Sequence, residues 1–122
     1  MNQLLTAGAA VMFLAVVLGA FGAHALKAKL SENQSKNYQT GVQYQIAHGL
    51  GLILLGTAGK QLGHASLVEW AGWLMLGGIV LFSGSLYVLS LSGIRRLGAV
   101  TPFGGLLMLA GWVLFAAAAA QG

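Results

Sequence analysis

The chain has no cysteine and no aspartate, a single proline, and only eight charged side chains among 122 residues. Without cysteine there is no disulfide, no thiol nucleophile and no Cys-based metal or iron–sulfur site. Without aspartate the only side-chain carboxylates are Glu32 and Glu69, and the expected topology puts neither near both His24 and His48. The serines therefore have no evident base and orienting acid. No G-x-S-x-G, H-E-x-x-H or phosphate-binding loop occurs, and Gly49 and Gly51 lack the rest of a dinucleotide fingerprint. The chain reads as a non-enzyme, with no metal ligand set and no cofactor assigned.

The few charges are also absent from particular places. Lys27, Lys29, Glu32 and Lys36 share one gap, Lys60 and Glu69 lie in or beside a second, and Arg95 and Arg96 occupy a third. Between the gaps run four apolar stretches, residues 4–26, 41–59, 67–92 and 101–120. A charge at the centre of a membrane helix costs roughly 2.5–3.5 kcal/mol even on a lenient scale. A hydrocarbon core about 30 Å thick needs roughly 20 apolar residues in helical form. Both conditions are met, and a mean hydropathy of +0.81 agrees. The expected fold is an all-α integral membrane protein, residues 1–122 forming one domain. Short gaps make successive helices antiparallel neighbours, hence an up-down bundle of four transmembrane helices.

The net charge of +4 does not point to nucleic acid, because the six basic residues are spread over three loops rather than gathered on one face. They set topology and meet anionic headgroups instead. Loops 26–40 and 93–100 carry five Lys/Arg, against Lys60 alone on the opposite side. The positive-inside rule then places those two loops in the cytoplasm and both termini outside. Trp70 and Trp73 would lie near the outer interface. Ala23-His24-Ala25 imitates a signal-peptidase site, but residues 1–6 lack a basic n-region, so the first segment is expected to remain. Ser31 and Gln34 are spaced as a capping box, which would start the second helix near Glu32, in water.

Nineteen glycines are the most abundant feature that remains. Gly49/Gly56, Gly77/Gly84 and Gly104/Gly111 recur at seven residues, and Gly8, Ala15 and Gly22 continue the pattern in the first segment. The four-residue spacing occurs once, at Gly59/Gly63. Glycine is common in membrane helices on any account. The seven-residue spacing favours left-handed, near-parallel packing that draws backbones together.

Polar side chains in the apolar stretches are the candidate site. With this topology His24, Tyr44, Gln45, His48 and Tyr87, along with Ser83, Ser85, Ser90 and Thr101, gather at the cytoplasmic ends of the helices. Tyr44 and His48 share a helix face, as do Ser83 and Tyr87. The leading reading is a structural polar layer, each interhelical hydrogen bond adding about 0.6 kcal/mol. The alternative is a binding site for a lipid, quinone or other small amphiphile, with His24, His48 and Tyr87 as donors. Haem held by two imidazoles is a further form of it, though two histidines without a carboxylate or thiol make a thin metal site. A small transporter ranks lower, since pumps place an ionisable group at mid-membrane and none is expected there.

Five runs also carry a family likeness: residues 19–26 (GAFGAHAL), 38–49 (YQTGVQYQIAHG), 82–87 (FSGSLY), 101–105 (TPFGG) and 111–112 (GW). Together they resemble the domain-of-unknown-function 423 family of small bacterial inner-membrane proteins. Gly41 and Gly49 stand where that family more often has alanine, which bears on packing rather than chemistry. The resemblance implies about four helices in a bacterial plasma membrane and supplies no reaction. A thin bundle with surplus glycine faces is also expected to form a homo-oligomer.

Overall fold

The computed structural model describes residues 2–121, apart from the Lys60 side chain. Expectations resting on Met1 or on that side chain lie outside the described residues. Four α-helices follow one another: α1 (Gln3–His24), α2 (Glu32–Leu62), α3 (Ala65–Ser92) and α4 (Thr101–Gln121). A short 3-10 helix, Arg95–Ala99, bridges α3 and α4. No strand occurs among the described residues.

Each boundary has a local cause. Asn2 caps α1, its side-chain oxygen accepting from the Leu5 amide at 3.2 Å. The capping box expected at Ser31 is formed in both directions, at 3.2 Å and 2.9 Å. It satisfies two orphan donors and starts α2 well before the apolar stretch. At 31 residues, α2 is about 46 Å long, longer than a hydrocarbon core. Gly63 and Gly93 end α2 and α3 with φ of 73° at each, a backbone state that glycine adopts without Cβ strain.

Among the described residues, three stretches are long and apolar enough to cross a membrane: Gln3–His24, Ala65–Ser92 and Arg95–Gln121. The expected four are therefore three by this measure. The remaining helix, α2, carries Gln43, Gln45 and His48 in its middle.

Packing follows chain order. α1 lies on α2, α2 on α3 and α3 on α4, while α1 and α4 do not touch among the described residues. The helices form an open row around the α2–α3 hairpin, not a closed ring. Leu52, Leu55, Ala71, Met75 and Met108 build the main core. A smaller cluster, Leu26, Tyr38 and Val42, closes the end where α1 turns into α2. Apolar side chains on the outward faces, including Phe13, Val16, Leu109 and Val113, are more than three-fifths exposed.

Gly8, Ala15 and Gly22 are buried on α1, Gly49 and Gly56 on α2, and Gly104 and Gly111 on α4. The α3 pair behaves differently. Gly77 and Gly84 are only half-buried, and a Cβ at Gly84 would meet nothing within 4 Å. Close approach on α3 falls instead at Gly78, where a Cβ would come within 2.8 Å of the Gly104 carbonyl. On the facing helix, a Cβ at Gly104 would strike the Phe82 backbone.

Candidate functional site

Side-chain hydrogen bonds join every pair of neighbouring helices. Near the α1–α2 turn, the buried Tyr38 hydroxyl donates to the Leu18 carbonyl. One turn further along α2, Ser83 of α3 donates to the Gly41 carbonyl at 2.7 Å. Between α3 and α4 the Ser85 and Thr101 hydroxyls are 2.6 Å apart. Ser85 also donates to the Phe82 carbonyl at 3.0 Å, so its one proton is used there and Thr101 donates to it.

Deeper along α2 lie two further bridges. Gln45, 4% exposed, donates from Nε2 to the Val11 carbonyl of α1 at 2.9 Å. Because a carbonyl can only accept, this bond fixes the orientation of the Gln45 amide. Its Oε1 then accepts from the Tyr87 hydroxyl of α3. This one side chain thus ties three helices, α1, α2 and α3. Tyr87 packs its ring against Tyr38, centroids 5.2 Å apart, in space left by the missing side chain of Gly41.

His48, 7% exposed, makes the second bridge. Its Nδ1 lies 2.8 Å from the Tyr44 carbonyl one turn back. Its Nε2 lies 2.9 Å from Trp112 Nε1 on α4. An indole N–H can only donate, so Nε2 is the acceptor and Nδ1 carries the proton. The imidazole is neutral, in one tautomer, with both nitrogens engaged. Gly51 makes room for the indole: a Cβ there would sit 3.3 Å from Trp112 and from the Met75 sulfur.

The depth of these bridges corrects an expectation. The polar layer is expected at the helix ends beside the α1–α2 turn and the α3–α4 link, and Ser85 and Thr101 do lie toward those ends. Gln45 and His48 do not. Val11 is the ninth residue of the 22 in α1, and Trp112 the twelfth of the 21 in α4. The cluster therefore reaches the middle of both outer helices. The long lead-in of α2 is the reason, since Gln45 sits thirteen residues, about 20 Å, past the helix start.

The five site residues separate accordingly. Gln45, His48 and Tyr87 belong to the interhelical network. Tyr44 is adjacent to it, 43% exposed, its ring stacked on His48 and tilted against Phe82 at 4.4 Å. His24 is exposed at the end of α1 and makes no side-chain hydrogen bond with the described residues. Trp112, Tyr38 and Phe82 were not singled out from the sequence, although all three stand in the runs that carry the family likeness. A large aromatic at helical spacing reads as core until its partner is visible.

Outside the bridge, a groove of about 560 Å³ runs between α2 and α4. Tyr44 and His48 form one wall, Leu106, Leu109 and Trp112 the other, and Phe82 of α3 the floor.

Comparison with known proteins agrees with the likeness. A family profile described as a protein of unknown function (DUF423) matches residues 18–105. A UPF0382 membrane protein of Staphylococcus haemolyticus is 49% identical over 115 residues, covering 93% of this chain and 92% of the relative. The UPF0382 membrane protein YwdK of Bacillus subtilis is 45% identical, covering 99% of this chain and 98% of its own length. No solved structure gives a significant match. With a profile covering most of its length and near-full-length relatives at this identity, the chain belongs to the DUF423 family.

Proposed function

We propose that the chain is a four-span protein of the bacterial plasma membrane with a structural or accessory, non-catalytic role. In this reading Gln45, His48 and their partners fasten the helices to one another. The observation that carries it is the saturation of His48. Its two nitrogens are spent on Tyr44 and Trp112, so ligating haem iron or another metal would first break one of these bonds. Among the described residues, no buried side-chain nitrogen or oxygen lacks a partner. Such a network is satisfied without any ligand, which is what a fastener requires.

Four spans are supported by geometry rather than by composition. α2 is too polar to pass as a span alone, but Gln45 and His48 face its neighbours, and its outward Leu50 and Leu54 are about half exposed. Polar side chains turned inward are the usual way a membrane helix carries them. The excess of basic residues in loops 26–40 and 93–100 supports a cytoplasmic position for those loops, with both termini outside. The names of the relatives as membrane proteins support the location. The open row leaves edges of α1 and α4 without a helix partner, which supports association with a second copy. Transport finds no open relay group: His48, the ionisable side chain at mid-helix, has both nitrogens engaged.

The test is to replace His48 with alanine and follow thermal unfolding in detergent alongside native mass spectrometry and an optical spectrum. Lower stability with no haem, metal or quinone released and no Soret band is expected. A retained haem, metal or quinone that the variant loses would overturn the reading.

A further inference from the structure

The groove between α2 and α4 has a definite depth and a charged mouth. It begins at Pro102, in the first turn of α4, and ends at Trp112. Ten residues of helix span about 15 Å, half of a hydrocarbon core about 30 Å thick. The groove is therefore one leaflet deep. At its mouth the chain enters α4 from the 3-10 helix that carries Arg95 and Arg96. Lys27, Lys29 and Lys36 lie at the same end, with Glu32 as the single acid there, and all six side chains are exposed. On α2, Tyr44 and His48 share the face that lines the groove, and Thr40 and Lys36 follow at the same spacing toward the charged end.

We propose that one acyl chain of an anionic phospholipid lies in this groove, with its phosphate at the basic mouth. This rests on the membrane reading above and goes beyond it. A ligand held by polar contacts within the groove is disfavoured, because His48 has no free nitrogen and the remaining walls are apolar apart from the Tyr44 hydroxyl. A second copy of the chain is disfavoured by charge, since a parallel pair meeting along this groove would bring two basic mouths together. An anionic headgroup meets the opposite condition, each nearby Lys or Arg adding about 1 kcal/mol of attraction, or about fivefold in affinity.

Trp112 lines the groove and is 38% exposed, so it can report occupancy. The full chain carrying Trp70→Phe and Trp73→Phe is reconstituted in phosphatidylcholine vesicles containing a minor fraction of brominated-chain lipid. Either phosphatidylglycerol or phosphatidylcholine carries the bromine. Trp112 quenching should show phosphatidylglycerol preferred by about fivefold or more. Arg95→Gln with Arg96→Gln should cut that preference by about fivefold or more, with the three lysines at the same end keeping the remainder. A Cβ at Gly105 lies only 3.8 Å from Phe82, so Gly105→Phe can fill the groove and should cut quenching by both lipids. Equal quenching in the parent chain overturns the lipid site alone, as does a preference that the arginine changes leave unaltered. Quenching by neither lipid, with Gly105→Phe changing the oligomer size, would assign the groove to a second copy. Failure of the chain to enter vesicles would overturn the membrane reading itself.

Discussion

Trp112 Nε1 stands 2.9 Å from His48 Nε2, and this one bond sets the protonation of the only buried histidine among the described residues. The indole can donate but not accept, so His48 is held as the Nδ1–H tautomer, its N–H donating to the Tyr44 carbonyl. A histidine tied down this way is a joint between α2 and α4. It is not an open ligand.

Trp112→Phe removes the donor and leaves a buried acceptor unpaired. It is expected to lower stability by about 1–3 kcal/mol, read by reversible unfolding in mixed micelles. The double change with His48→Phe should cost less than the sum of the two single changes. The coupling is expected near 0.6 kcal/mol and no more than about 1.7.

Gln45→Leu is expected to be the costlier change in the Gln45 bridge. It strips the Tyr87 hydroxyl and the Val11 carbonyl of their partner, whereas Tyr87→Phe removes one bond only. Unfolding free energies for the two variants should differ in that order, with Gln45→Leu losing about 1–2 kcal/mol.

Two glycines of the seven-residue pattern are expected to respond oppositely. Gly104→Ala forces a Cβ onto the Phe82 backbone and should destabilise by about 1–3 kcal/mol. Gly84→Ala meets open space and should be neutral or stabilising by up to about 1 kcal/mol, from helix propensity alone. Thermal midpoints of the two variants in one detergent give the comparison.

The absence of native cysteine allows single-cysteine topology mapping. Ala28→Cys and Gly98→Cys should resist an impermeant maleimide in intact cells, and Gln61→Cys should react with it. Labelling at position 28 or 98 from outside would reverse the proposed orientation.

How much of this was legible in the sequence differs from element to element. The helices show plainly because charge is excluded from long apolar runs, and the start of α2 because Ser31 and Gln34 carry their own capping chemistry. The residue set Gln45, His48 and Tyr87 was legible as polar groups in apolar stretches. Their depth was not, since it depends on how far α2 slides along α1 and α4, which spacing within one helix does not encode. Trp112 escaped notice for a related reason. Its partner lies 64 positions away, and an indole in an apolar stretch looks like core. The seven-residue glycine pattern marked buried positions on α1, α2 and α4. On α3 the close approach moved to Gly78, because the face turned to α4 is set by packing and not by period.

The most direct test is nitrogen-15 magnetic resonance of the imidazole ring in lipid bilayers, with His24→Asn and His64→Asn leaving His48 as the only histidine. A pyrrole-type Nδ1 and a pyridine-type, hydrogen-bonded Nε2 are expected, with the Nε2 signal moving when Trp112 is replaced by phenylalanine. The opposite tautomer, or an Nε2 signal indifferent to Trp112, would contradict the claim that this histidine is a joint between helices.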